Sequence, residues 1–218
     1  MTKSFLLPTL NPAAGAVVRG SRIYICDSAE PSLYAYDEAS GVISETVALR
    51  NVYASFAPDG DGYVALSGKR YIYYISKAFE EIGSVRLPFD ANSVNMARNG
   101  LLSVACAEGV YLCERDGYTV SKSSDKPSVC EIHSSSAEAV AYFINEKVNI
   151  SVSCPTAAFT FEVPAFLTLR SLTAYGADVY GLYCYNYKYN CLLPILRGGL
   201  DTTDKYKTVK DLLSLLRE

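Results

Sequence analysis

The sequence predicts an all-β fold, a five-bladed β-propeller of four-stranded antiparallel blades with an N-terminal strand closing the last blade and a C-terminal amphipathic helix. Three observations predict it. Short β-rich segments begin at Arg22, Gly62, Gly100, Ala139 and Asp178, at spacings of 40, 38, 39 and 39 residues, so a repeat of about 39 residues fills the chain five times. Each segment belongs to a series of short alternating runs, the pattern of antiparallel strands. The first residues, SFLLP, match the ends of the second and fourth units, SVRLP and TFEVP, while the fifth unit lacks an outer strand. The first strand therefore completes the last blade, and a ring leaves no open end face to pair with another chain.

The elements follow in order. Turn clusters precede the five segments: Arg19-Gly20-Ser21, Asp59-Gly60-Asp61, Arg98-Asn99-Gly100, Ser134-Ser135-Ser136 and Gly176-Ala177. Gly, Asn and Asp supply the positive φ angles and local side-chain bonds of hairpin tips. A further alternating run follows in each unit: LYAYD, YIYYI, VYLCE, VNISV and YNCLL. Outer runs such as ISETVAL, IGSVRLP and FTFEVP make a fourth strand. The propeller is predicted to span residues 1–200. Residues 201–218 are predicted to form a helix packed on it, with Asp201 or Thr203 as cap and Val209, Leu212, Leu213 and Leu216 at i, i+3, i+4, i+7 spacing. Its apolar stripe needs cover, from the propeller or from another chain. Docked over one mouth, it would leave the other as the binding face.

Composition bounds the function. With 218 residues, half of them apolar, and a net charge of −3, the chain is an ordinary globule with room for one core. No apolar run approaches the roughly 18 residues of a membrane span. The start, MTKSFLLP, is too short in apolar residues for a secretory leader, which predicts a cytoplasmic protein. A pI near 5.3 without a basic stripe argues against a nucleic-acid partner.

The segment FAPDGDGYVAL, residues 56–66, resembles the turn between first and second strands of tryptophan-aspartate and TolB-type propellers. RIYICDSAEPSLYAYDEASGVISETVAL, residues 22–49, is similar to YVTN-type repeats, with Gly41 in the turn between third and fourth strands. The resemblance is good in units one and two, partial in three and weak in four and five, where the tryptophan-aspartate signature is absent. It implies architecture, and an axial mouth as the usual ligand face. It does not imply a function, because these families include scaffolds, ligand binders and enzymes.

Candidate site residues come from the innermost strands, where polar residues alternate in units two to five: Tyr53 and Ser55, Ser93 and Asn95, Glu131 and His133, Ser171 and Thr173. Their neighbours are apolar, so one face packs between blades and the other lines a polar funnel at the axis, or a ring of satisfied polar groups that seals it. Unit one, with Ala14, Gly15, Ala16 and Val17, breaks the pattern and predicts a wider channel on that side. Among these residues His133, the one histidine, and Glu131 are the candidates for acid–base chemistry. No catalytic residue is assigned, because the inner strands offer one carboxylate where glycoside hydrolysis needs two. The remaining acids, Asp59, Asp61, Asp90, Asp116 and Asp178, read as turn, link or loop residues. No nucleophile elbow, phosphate loop or dinucleotide fingerprint is present. One histidine without partners at ligand spacing gives no zinc site, and no cofactor is predicted.

Seven cysteines placed inside strands read as reduced, buried thiols. Cys106 and Cys113 repeat as Cys184 and Cys191 and flank a hairpin, so a cross-strand disulfide is an alternative there. Tyr183, Tyr185, Tyr187 and Tyr189 alternate strictly, either as a stacking stripe for a ligand or as filler between blades split by a turn near Asn186. The reading favoured is a non-enzymatic binding propeller for a protein partner or small ligand. A glycan-binding propeller and a hydrolase or lyase using Glu131 and His133 are the alternatives.

Overall fold

The computed structural model describes residues 5–7, 11–19, 21–37, 39–60, 62–97, 99–125, 128–133, 136–175, 177–186, 189–206 and 209–211. It is a five-bladed β-propeller. After β1 (Phe5–Leu7), blade one comprises β2 (Ala13–Arg19), β3 (Arg22–Asp27), β4 (Ser32–Asp37) and β5 (Val42–Ala48). Blade two comprises β6 (Ser55–Asp59), β7 (Gly62–Ser67), β8 (Tyr71–Ile75) and β9 (Glu81–Arg86). Blade three follows with β10 (Ser93–Met96), β11 (Leu102–Cys106), β12 (Gly109–Cys113) and β13 (Thr119–Ser124). Blade four has β14 (Ser128–His133), β15 (Glu138–Ile144), β16 (Lys147–Cys154) and β17 (Ala157–Glu162). Blade five has β18 (Leu167–Tyr175), β19 (Asp178–Tyr185) and β20 (Tyr189–Arg197).

In each blade the strands pair antiparallel in chain order. The missing outer strand of blade five is supplied by β1, which pairs with β20 at Phe5↔Leu192 and Leu7↔Asn190. The five inner strands contact one another in sequence, and β18 contacts β2, so the ring closes. A second tie crosses the closure: the Asn190 amide donates to the Asn11 carbonyl at 2.6 Å, and its Oδ1 accepts from the Ala13 N–H at 3.2 Å.

The core sits between blades rather than around one centre. One apolar cluster joins blades one and two through Val17, Leu33, Phe56 and Tyr63. Another joins blades two and three through Val64, Leu66, Val94 and Leu102. A third joins blades four and five through Ile132, Ile150, Leu172 and Leu193, and a fourth joins five and one through Leu182, Leu192, Ala16 and Ile23.

Two glycines set how closely these parts approach. A Cβ on Gly15 would lie 2.3 Å from the Phe56 carbonyl oxygen. The small residues of blade one therefore draw its inner strand against blade two, and Ala13, Ala14, Ala16 and Val17 are all buried. The expected widening of the channel on that side is corrected: small side chains here shorten an interstrand distance. A Cβ on Gly181 would lie 2.4 Å from the Tyr183 ring, which shares its face two residues on. Gly181 thus makes room for a fully buried tyrosine.

The tail also differs from expectation. β20 turns at Gly198-Gly199 into a short β21 (Leu200–Asp201), which the sequence reading did not anticipate. A 3-10 helix follows at Thr203–Lys205; Asp201 Oδ1 accepts from the Thr203 N–H at 2.8 Å and from its hydroxyl at 2.7 Å. Tyr206 and residues 209–211 are helical. Tyr206 packs edge-on against Phe161 of β17 and Tyr183 of β19, and its hydroxyl meets that of Tyr183 at 3.1 Å. Tyr206 and Val209 belong to the cluster of blades four and five. The described part of the tail thus fills the wedge between those two blades rather than a mouth, and Val209 is not free for another chain. Leu212, Leu213 and Leu216 lie outside the described residues. No helix among those described is long and apolar enough to cross a membrane.

Candidate functional site

Pairing register decides which neighbour each side chain faces. In blade two, Ser55 pairs with Leu66, a member of the cluster shared with blade three. In blade three, Ser93 and Asn95 lie on the face opposite Val94, hence toward blade four. In blade five, Ser171 pairs with Leu182, which faces blade one. In these three blades the polar face of the inner strand points to the following blade.

Blade four is inverted. Its apolar Cys130 and Ile132 face blade five, so Glu131 turns back toward blade three. Two polar inner faces thus meet across the interface of blades three and four. Among the described residues this interface has no apolar cluster spanning it, whereas the other four do.

The polarity continues outward. Glu131 pairs with Val140, which pairs with Ser151, which pairs with Thr160, so one face of blade four carries these four residues in a row across its strands. Glu138 and Tyr142 flank Val140 on that face. The Tyr142 hydroxyl and Ser151 Oγ are 2.9 Å apart, and Ser151 Oγ and Thr160 Oγ1 2.7 Å. Opposite stand Leu112, Ser123 and Ser124 of blade three and Asn99 of its hairpin loop. Between the two walls lies a cleft of about 530 Å3, within the about 300–1,000 Å3 common for small-molecule sites.

The inner end of this interface is unusual for a packed protein. Ser93, Asn95, Ser103 and Glu131 are 6%, 4%, 1% and 4% exposed. The Asn95 amide donates to the Glu131 backbone carbonyl, tying the two blades. Ser93 Oγ, Asn95 Oδ1 and Ser103 Oγ meet no hydrogen-bond partner. Ser103 pairs with Leu112, so these groups lie on the cleft side of blade three. Buried polar groups are ordinarily satisfied, so three orphans on one face are unusual; they lie beneath the cleft and are not among the residues that line it.

The other candidates are dispersed. Tyr53 is directed outward: its hydroxyl donates to Glu81 Oε1 at 2.7 Å, its ring packs between blades one and two, and burial pushes its phenol well above the ordinary range. Ser55 Oγ accepts from the Val94 N–H at 3.3 Å, a tie between blades two and three. Ser171 and Thr173 are buried on the blade-one side, their hydroxyls also without partner. His133 pairs with Glu138 in register, and its side chain lies outside the described residues. The inner-strand polar residues thus address interblade interfaces rather than one axial funnel. Among the described residues no group of three or more His, Cys, Asp or Glu is arranged to hold a metal.

The structure places two other features. All seven cysteines are free. Cys113 sits opposite Leu102 and Cys106 opposite Gly109, so the two are four positions apart along the ladder, roughly 13 Å, beyond disulfide reach. Cys184 pairs with Asn190 and Cys191 with Tyr183, which puts their thiols on opposite faces. The tyrosine stripe is divided by a turn at Asn186, with Tyr185 of β19 opposite Tyr189 of β20; Tyr183 and Tyr185 fill the wedge between blades, and Tyr187 lies outside the described residues.

No protein-family model matches this chain, and no curated protein matches it in sequence. Solved structures do resemble it in fold. It aligns with Myxococcus xanthus glutaminyl cyclase at a TM-score of 0.61 and 11% identity, over 88% of this chain and 94% of that one. The Neurospora crassa Pan2 WD40 domain aligns at 0.50 and 9% identity, over 85% and 76%. Kuenenia stuttgartiensis hydrazine synthase aligns at 0.50 and 13% identity over 85% of this chain, which spans only 63% of that chain. These likenesses support the propeller architecture and, at such identities, carry no function with them.

The second carboxylate near Glu131 was missed by reading the inner strands alone. Glu138 opens β15, a second strand, and comes beside Glu131 through the pairing register, which no spacing in the sequence marks.

Proposed function

We propose that this propeller is a binding module whose ligand site is the cleft between blades three and four, and that it holds a small polar ligand there without converting it. The observation that carries this reading is the meeting of two polar blade faces, with buried unpartnered groups on one of them, at one interface of five. Several equivalent interblade sites would support a multivalent glycan binder; among the described residues two polar faces meet at this interface, whereas Ser171 and Thr173 stand opposite an apolar wall of blade one. An axial mouth gains no support from side chains that point between blades.

A second reading rests on Glu138. It shares a blade face with Glu131 on the neighbouring strand, at a diagonal position whose Cα separation is about 7–8 Å. A pair of carboxylates on one face is what hydrolysis of a glycosidic bond uses.

The test is a saturation-transfer NMR screen of a polar metabolite library against the full chain and against Val140→Phe, which fills the cleft from a half-buried position. Hits that vanish in a folded Val140→Phe variant support the cleft. Hits that persist overturn it. Conversion of a hit into product during the measurement replaces the binding reading with the hydrolytic one.

A further inference from the structure

We infer that the ring opens between blades three and four: this internal seam, rather than the closure where the chain ends meet, is where neighbouring blades part while the rest of the fold stays intact. Three observations converge on it. The first is what the interfaces are made of. The closure is dry, with Leu182 and Leu192 of blade five packed on Ala16 and Ile23 of blade one, and Asn190 adds two hydrogen bonds across it. Between blades three and four no apolar cluster spans the described residues, so parting these blades forfeits less apolar burial than parting any other pair.

The second is the cost of holding the seam shut. Ser93 Oγ, Asn95 Oδ1 and Ser103 Oγ are shut away from water without a partner, a desolvation penalty that the closed ring bears and that hydration on opening relieves. Ser123 Oγ donates to the Val110 carbonyl of its own blade, and the Tyr142, Ser151 and Thr160 hydroxyls form a chain along blade four, so these bonds do not hold the two walls together. The Asn95 amide, bonded to the Glu131 carbonyl, does cross.

The third is the outer turn. In blades two and three the connection between third and fourth strands reaches over the preceding blade. Phe79 packs on Tyr24 of blade one with ring centres 5.3 Å apart, and Arg115 pairs with Asp59 of blade two at 2.6 Å and lies 4.5 Å over the Tyr74 ring. In blade four that connection is shortened to Pro155-Thr156, and Thr156 faces the other way: its Oγ1 lies 2.7 Å from where a Cβ on Gly199, in the turn that ends β20, would stand. Opening at this seam is thus a sub-global event, separate from unfolding, and it bares the inner end of the interface.

Thiol labelling under native conditions tests this, with methyl methanethiosulfonate and peptide mass spectrometry on the full chain carrying Cys154→Ser. Cys26, Cys113 and Cys191 lie in the clusters of blades one and two, two and three, and four and five, and Cys184, buried on the opposite face of blade five from Cys191, reports on the closure. Ser103→Cys places a thiol of nearly the same shape at the seam, where the native side chain is 1% exposed. The expected result is modification at position 103 about ten-fold or more faster than at any of those four, with a urea dependence shallower than that of global unfolding, because one seam exposes less surface than the whole chain. Ser93→Cys, on the same face, takes its place if Ser103→Cys does not fold, and thermal unfolding establishes that the variant used matches its parent. Equal rates at position 103 and at Cys113, or a urea slope equal to the global one, would mean that the seam parts only on unfolding and overturn the inference. Faster modification of Cys184 would put the opening at the closure and overturn it as well. The labelling needs no ligand, so a cleft that binds nothing in the NMR screen leaves this inference standing.

Discussion

The interface of blades two and three and the interface of blades three and four share a blade and differ in almost everything else. On one side of blade three, Val94, Leu102 and Val104 meet Val64, Leu66 and Ile72 in a dry cluster. On the other lie Ser93, Asn95 and Ser103, with the Asn95 amide bonded to the Glu131 backbone carbonyl. A propeller blade needs an apolar neighbour on each face to bury its surface, so the polar side gives up packing that the rest of the ring retains. The comparison teaches that apolar packing and polar side chains are divided between the two faces of one sheet. Four interfaces hold the ring, and the fifth is released to carry polar groups.

The contrast is breakable by mutation, and the largest effect belongs to the dry side. Leu102→Ala removes a fully buried side chain from the cluster of blades two and three and is expected to cost about 2–5 kcal/mol in urea unfolding. A loss under 1 kcal/mol, on the order of a surface change, would show that this interface is not a principal source of stability. Gly15→Ala comes next. Its Cβ would press on the Phe56 carbonyl, a backbone group that moves only with its strand, and overpacking of this kind costs about 1–3 kcal/mol. Undiminished stability there would mean that blades one and two are not in close approach.

Much of the ring was legible because repetition is a statistical property of the whole chain. The five segment starts fall on or within two residues of β3, β7, β11, β15 and β19, and SFLLP supplies the closing β1. The site was only half legible. Ser93, Asn95 and Glu131 were recognisable as polar residues on inner strands, yet their directions were not. A one-residue change in register moves every side chain of a strand to the other face. The first two strands are separated by two residues in sequence in blades one, two and five, but by five in blade three and by four in blade four. β14 also has a register shift between Ser128 and Cys130. Blade four thus departs from the regular repeat at the strand that carries Glu131, and no spacing count announces it.

Two thiols on the dry face of blade four also differ, one inside the cluster and one at its edge. Cys130 lies on the dry side, where burial pushes its pKa up to about 12; Cys191 across the interface is likewise raised to about 12 by burial. Cys154, at the end of β16, is held below the ordinary thiol range by its hydrogen bond with Thr156. Because a depressed pKa leaves more thiolate at neutral pH, Ellman's reagent at pH 7 is expected to modify Cys154 rapidly while Cys130 and Cys191 stay protonated and unreacted until the protein unfolds. Thr156→Ala should slow that phase, and Cys154→Ser should remove it. A fast phase that survives Cys154→Ser would mean that a thiol assigned to a dry interface is accessible.

The smallest effect sharpens the comparison most. Ser103 is as buried as Leu102 beside it, but its hydroxyl has no partner and faces the polar interface. Deleting a satisfied buried hydroxyl destabilises by about 1 kcal/mol, whereas deleting an orphaned one relieves a desolvation penalty. Ser103→Ala is therefore expected to leave stability unchanged or raise it by up to about 1 kcal/mol in the ligand-free protein. If the orphaned hydroxyl is kept for a ligand, the same variant shows a smaller thermal shift than the wild type when a cleft ligand is added, because ligand stabilisation follows affinity. A stability loss of about 1 kcal/mol or more in the ligand-free protein would instead mean that Ser103 has a partner within the fold and holds the two blades together. Adjacent residues of one strand, Leu102 and Ser103, are thus expected to report in opposite directions, one on the packing that holds the ring and the other on the polar interface beside it.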